Sequence, residues 1–223
     1  MMRLAILISG RGSNMVRLAD IVDRIPDAAR IVLVAANMSC EGLRIAADRG
    51  LPTDLVERRD FADKSAHEAA LAASIENAGA DLVILAGYMA ILSADFVTRF
   101  RGRILNIHPS LLPALKGLDT HARALAEGHR RHGATVHVVT PRLDDGPIVL
   151  QAALTVEQDE TAQQLASRVL TLEHALYPFV ITALAGGDLD ITDGMPRWRQ
   201  GEAALARADA TIAATLQQAV IWP

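Results

Sequence analysis

The residues Leu4-Ala-Ile-Leu-Ile8 form an unbroken apolar run that stops at Ser9-Gly-Arg-Gly-Ser13, after which the apolar positions take helical spacing to about Arg24. This predicts a strand buried on both faces, a tight turn and a helix. The pattern then repeats. Ile31-Val-Leu-Val-Ala-Ala36 ends at Asn37 and leads into a helical stretch from Glu41 to Arg49, with Gly50 at the stop position. A short strand is expected at Thr53–Val56, an alanine-rich helix over 64–79, and buried strands at Asp81–Ala86 and Arg103–Ile107. Such alternation predicts an α/β fold, a Rossmann-like, mostly parallel sheet with helices on both faces and right-handed crossovers.

After Leu118 the rhythm changes. A helix is expected over about 119–127, followed by apolar runs at Ala134–Val139 and Ile148–Leu154 with a turn at Leu143–Pro147 between them. Runs so close together predict an antiparallel hairpin appended to the parallel core. Thr161 to about Leu184 reads as a long helix with Thr161 as N-cap and Gly186-Gly187 as its stop, and Pro178 is expected to kink or interrupt it. Residues 1–190 read as a single domain, and 191–223 as a helix-prone tail that could cover the core, join a partner or stay mobile.

Composition bounds the function. Hydrophobic residues make up 51% of the 223 and charged ones 22%, a globular balance far from that of disordered chains. A net charge of -4 argues against nonspecific binding to nucleic-acid backbones. The single cysteine, Cys40, cannot form an internal disulfide and leaves no cysteine-based zinc site, which fits a reducing cytoplasm. The longest uncharged stretches fall short of the ~18 apolar residues a membrane span needs, so neither a membrane nor a nucleic acid is expected as partner.

Three segments carry candidate chemistry. Ser9-Gly-Arg-Gly-Ser-Asn14 lies where a strand gives way to a helix, whose unpaired N–H groups and dipole favour a phosphate. It is neither a Walker A loop nor a complete Gly-x-Gly-x-x-Gly, since Met15 holds the third glycine position, so a single phosphate suits it better than a dinucleotide. Asn106 and His108, two apart at the carboxyl end of a strand, face the same way. An amide donor beside an imidazole suits acyl or formyl transfer: the amide steadies an oxyanion while the imidazole moves protons. In Leu143-Asp-Asp-Gly-Pro147, either Asp144 or Asp145 could reach His108 and favour its protonated form; spacing does not choose between them. His129-Arg-Arg-His132 reads as a solvated loop, Cys40 as a small, partly buried side chain, and Ser13 and Ser110 lack the hydrolase elbow. No metal constellation is present in the sequence.

Taken together, the motifs resemble those of the phosphoribosylglycinamide formyltransferase family of purine biosynthesis. The likeness runs over about residues 3–190. It is carried in order by Ile8-Ser-Gly-Arg-Gly-Ser-Asn14, Leu85-Ala-Gly-Tyr-Met-Ala-Ile-Leu-Ser93, Leu105-Asn-Ile-His-Pro-Ser-Leu-Leu-Pro113, Gly117-Leu-Asp-Thr-His121, Leu143-Asp-Asp-Gly-Pro-Ile148 and Glu173-His-Ala-Leu-Tyr-Pro178. The resemblance implies a cytoplasmic enzyme, monomer or homodimer, that moves the formyl group of 10-formyltetrahydrofolate onto glycinamide ribonucleotide without metal or ATP. It implies Asn106, His108 and Asp144 as the catalytic trio. It further implies Gly12, Ser13, Asn14 and Glu173 on the ribonucleotide, and Lys64, Met89, Ala90, Ile91, Leu92, Asn106, Thr140, Pro141, Arg142, Leu143 and Asp144 on the folate. Lys64 and Ala90 stand where many members carry arginine, and Leu170 where a polar residue is common. The alternatives are a formyltetrahydrofolate hydrolase, whose family usually adds an N-terminal regulatory domain, and a non-catalytic mononucleotide-binding protein. A methionyl-tRNA formyltransferase would need an added tRNA-binding domain and a basic surface.

Overall fold

In the computed structural model, which describes residues 1–223, the opening apolar run becomes β1 (Met2–Ile8), and its residues from Leu4 to Ile8 are wholly buried. There follow α1 (Ser13–Val22), β2 (Ala29–Ala36), α2 (Glu41–Asp48), β3 (Thr53–Leu55), α3 (Lys64–Asn77), β4 (Leu82–Leu85), α4 (Ala94–Arg99) and β5 (Ile104–His108). Two compact units divide the chain, Met1–Asn106 and Ile107–Pro223. In the first, the strand order is β5-β4-β1-β2-β3 and every pairing is parallel. Continuous apolar runs follow from that arrangement, because a parallel strand is covered on both faces. The helices start where their sequences allow it: Asp63 caps α3 by accepting the Ala66 N–H at 2.8 Å, and Ser93 caps α4 from Phe96 at 3.2 Å.

Register decides what this unit presents. Leu7 pairs with both Ala35 and Leu85, and Leu85 pairs with Asn106, so β1, β2, β4 and β5 reach one sheet edge level with each other. The segments beginning at Ser9, Asn37 and Ala86 therefore leave from the same carboxyl edge as Asn106, where open parallel sheets gather ligands.

The second unit holds α5 (Thr120–Ala126), β6 (Arg131–Val138), β7 (Ile148–Thr155), α6 (Ala162–Gly186), β8 (Leu189–Thr192), β9 (Met195–Trp198), α7 (Gly201–Ala206), α8 (Ala210–Leu216) and β10 (Val220–Ile221). The expected hairpin is β6 and β7, paired antiparallel from Arg131↔Thr155 to His137↔Ile148. By length and composition α6 could cross a membrane, but Leu165, Val169, Leu176, Tyr177, Phe179, Val180 and Ile181 are buried in this unit's core. Thr161 caps it in a full capping box with Gln164. The fold is thus α/β with a mostly parallel, mixed sheet and an antiparallel hairpin.

Three expectations need correction. Pro178 does not interrupt α6, which runs unbroken for 25 residues, because tertiary packing on both sides of the proline outweighs its one missing N–H. The tail is not simply helical: β8 and β9 form a second hairpin, and β10 pairs antiparallel with β7 through Val220↔Ala152 and Ile221↔Gln151. Trp198 stacks on Phe179 at 5.6 Å and meets Trp222 at 4.9 Å, so the tail covers the core of its own unit. Finally, β6 begins at Arg131, three residues earlier than expected, and His132 is a buried strand residue rather than part of a solvated loop. Its Nε2 lies 3.1 Å from His121 Nδ1.

Candidate active site

At the first unit's carboxyl edge, Gly12 takes the left-handed conformation (φ +72°) as N-cap of α1. A Cβ on it would lie 2.8 Å from the Gly42 Cα, so the turn needs glycine for backbone approach as well as for its dihedral. No side chain caps α1, and the opening turn of a helix is where backbone N–H groups and the helix dipole together favour an anion. Ser9 ties this turn to its neighbours: its Oγ donates to Asn37 Oδ1 at 2.7 Å and accepts the Met89 N–H at 2.9 Å. Phosphate-loop candidates, Asn37 and the segment from Met89 to Leu92 are thereby held together at one edge. Met89 and Ile91 are 69% and 66% exposed, an apolar ledge rather than core. Ala90 and Leu92, which alternate with them, are half-buried. Lys64, the first residue of α3, has its Nζ 3.7 Å from Glu68 Oε1. Glu68 is itself buried and accepts from the Ser93 N–H and hydroxyl.

Asn106 and His108 occupy alternate positions on β5, so both leave the strand on one side. His108 is buried, and its Nε2 lies 3.0 Å from the Leu115 carbonyl oxygen, an atom that can only accept. Nε2 therefore carries the hydrogen, and Nδ1 is the edge presented to Asp144 Oδ2 at 3.5 Å. The two aspartates left open by spacing are separated by the fold. Asp144, in the turn between β6 and β7 with φ +48°, turns its carboxylate inward. There Oδ2 accepts the Gly117 N–H at 2.9 Å. Asp145 turns outward to Lys116 and, at 3.7 Å, to Arg142, and the Lys116 ammonium holds its carboxyl below the usual range. Of the remaining turn residues, Thr140 is half-buried and its hydroxyl donates to the Arg142 carbonyl at 3.3 Å, while Pro141, Arg142 and Leu143 are exposed. Glu173 is buried on α6.

One participant escaped the sequence reading. His137 on β6 lies with its Nε2 3.8 Å from Asp144 Oδ1, so the carboxylate sits between two imidazoles. Its Nδ1 donates to the Val138 carbonyl at 3.1 Å, and burial pushes its pKa down against the pull of Asp144. The signal was a lone ionisable residue inside the apolar run Ala134–Val139. Leu115 O and Gly117 N–H, being backbone groups, left no signal.

Comparison with known proteins shows the family. A model of the formyl transferase family matches residues 2–181. The phosphoribosylglycinamide formyltransferase of Escherichia coli (strain K12) is 39% identical over 203 residues, 90% of this chain and 95% of that one. Among solved structures, glycinamide ribonucleotide transformylase 1 from Symbiobacterium toebii superposes with a TM-score of 0.83 at 39% identity, covering 89% of this chain and 94% of that one. Phosphoribosylglycinamide formyltransferase from Brucella melitensis does so with a TM-score of 0.79 at 45% identity, covering 86% and 99%.

Proposed function

The chain belongs to the formyl transferase family, and from that premise we propose that it transfers the formyl group of 10-formyltetrahydrofolate to the amine of glycinamide ribonucleotide, in the cytoplasm, as a step of purine biosynthesis. The observation that carries the reading is the buried pair of His108 and Asp144, with Asn106 one alternate position away on β5.

The ribonucleotide's phosphate binds the backbone at Gly12, Ser13 and Asn14, and Glu173 also binds the ribonucleotide. Folate lies along Met89, Ala90, Ile91 and Leu92 and along Thr140, Pro141, Arg142, Leu143 and Asp144, with Asn106 at the formyl end and Lys64 toward the glutamate tail. Lys64 is a point charge already shared with Glu68, so its hold on a carboxylate lacks the fork an arginine offers.

In the reaction, the amine nitrogen attacks the formyl carbon, and the carbonyl becomes an oxyanion that Asn106 and the His108 imidazolium stabilise. Leu115 O holds the Nε2–H of His108, and Nδ1, 3.5 Å from Asp144 Oδ2, is the edge that serves the oxyanion. Collapse breaks the bond from carbon to N10 of the folate, N10 takes a proton, and the amine loses one. The step balances without ATP or a metal. Holding two substrates together contributes on the order of 7–11 kcal/mol of the barrier.

The test follows absorbance as 10-formyltetrahydrofolate becomes tetrahydrofolate, with and without glycinamide ribonucleotide. Turnover that requires the ribonucleotide is expected; equal turnover without it would assign a hydrolase, and none would end the reading. His108→Ala is expected to lose about 10²–10⁴-fold in kcat while remaining folded. Undiminished activity in that variant would remove His108 from the mechanism.

A further inference from the structure

The stretch from Pro109 to Leu118 supplies both backbone contacts of the His108–Asp144 pair, the Leu115 carbonyl and the Gly117 N–H. A segment with that task has to be held, since a displacement of about 1 Å at a reacting group can cost on the order of 10²-fold in rate. Its near end is held by two side chains on the hairpin. Thr135 on β6 and Gln151 on β7 are cross-strand partners, so their side chains leave the same face. Gln151 Nε2 donates to the Leu112 carbonyl at 2.9 Å and to Thr135 Oγ1 at 2.8 Å. Thr135 Oγ1 in turn donates to the Ser110 carbonyl at 2.7 Å and accepts the Leu112 N–H at 3.1 Å.

Donor counting fixes the direction of the amide. The Leu112 oxygen can only accept, and the single hydroxyl hydrogen of Thr135 already goes to Ser110, so both partners require N–H from Gln151. Inside the segment, Ser110 Oγ donates to the Ala114 carbonyl at 2.7 Å, carrying the order one turn closer to Leu115.

We propose that Gln151 is a positioning residue for formyl transfer, holding the segment that orients His108 and Asp144; this rests on the function proposed above. It touches no reacting atom and acts through Ser110, Leu112 and Leu115.

Two variants test it. Gln151→Glu keeps the shape but sets an oxygen against the Leu112 carbonyl, and Gln151→Met removes the donor without adding charge. In each, kcat is expected to fall at least tenfold with KM for glycinamide ribonucleotide within threefold. Nitrogen NMR of the His108 ring should show its Nε2–H exchanging with solvent at least tenfold faster than in the parent protein. A kcat within twofold of the parent, or unchanged Nε2–H exchange, would overturn the proposal. So would either variant being unfolded at 25 °C, because Gln151 would then serve the fold and not the segment. If the parent protein transfers no formyl group, the NMR comparison still decides whether Gln151 orders His108, independently of the function.

Discussion

Asp144 is asked to hold a left-handed backbone, accept a backbone N–H and face two imidazoles at once. Asn tolerates that backbone and keeps an oxygen for Gly117, but it removes the negative charge. Asp144→Asn is therefore expected to melt within a few degrees of the parent while losing about 10²-fold or more in kcat, checked by calorimetry and the formyl-transfer assay. The histidines make a separate prediction. Burial, followed by the neighbouring imidazoles, pushes His132 down to about 4, and burial lowers His121 and His137 as well. Across the window from about 6.5 to 4 the unfolded chain then binds more protons than the folded one, so stability present at neutral pH is lost as pH falls. Denaturant titrations at pH 7, 5.5 and 4.5 should show falling midpoints, with a smaller fall in His132→Gln. At this scale the sequence was legible where a turn calls for glycine, as at Gly12, whereas spacing alone left Asp144 and Asp145 equal. It placed His132 in a solvated loop and passed over His137, because the strands that bury both are set by partners distant in sequence.

The long helix α6 shows how an element can be read correctly at its ends and wrongly in its middle. Thr161 is the N-cap the sequence suggests, joined by Gln164 in a full capping box, and Gly187 closes the helix in the left-handed conformation. Removing the Thr161 hydroxyl leaves the Gln164 N–H without its 3.3 Å acceptor at an exposed start. Thr161→Ala should therefore cost about 1 kcal/mol, which is a fall of about 2–4 °C in Tm. A melt unchanged within error would mean the helix is held by its packed face alone. Local rules gave the caps because caps are local; they misjudged Pro178 because the forces holding the helix through it come from residues distant in sequence. For the same reason the strands of the parallel set were legible from their apolar runs, whereas the start of β6 was not: Arg131 and His132 join it only because β7 offers Thr155 and Leu154 as partners.

Over the chain as a whole, the family match ends at residue 181, and the remaining residues are where the sequence said least. They turn out to be anchored. Trp198 Nε1 donates to the Val149 carbonyl at 2.8 Å, Leu216 is fully buried, and Trp222 packs on Trp198 and against Gly201. Because Trp222 is only half-buried, Trp222→Ala should cost less than the ~3–5 kcal/mol of a fully buried aromatic. It should still lower the denaturant midpoint measurably, and an unchanged midpoint would make the tail an ornament. Small alanines in Glu202–Ala219 hid this, since helix propensity reports how a segment coils and not what it leans on. The final strand has one more effect. A bare outer row of N–H and C=O groups invites another molecule to continue the ladder, and β10 closes part of that row on β7, with the Ala153 N–H given to the Ala219 carbonyl at 2.8 Å. Only the stretch at Gln151 and Ala152 is paired in this way, and two residues are too few to serve as a template themselves, so along that stretch the sheet offers no ladder for another strand to continue.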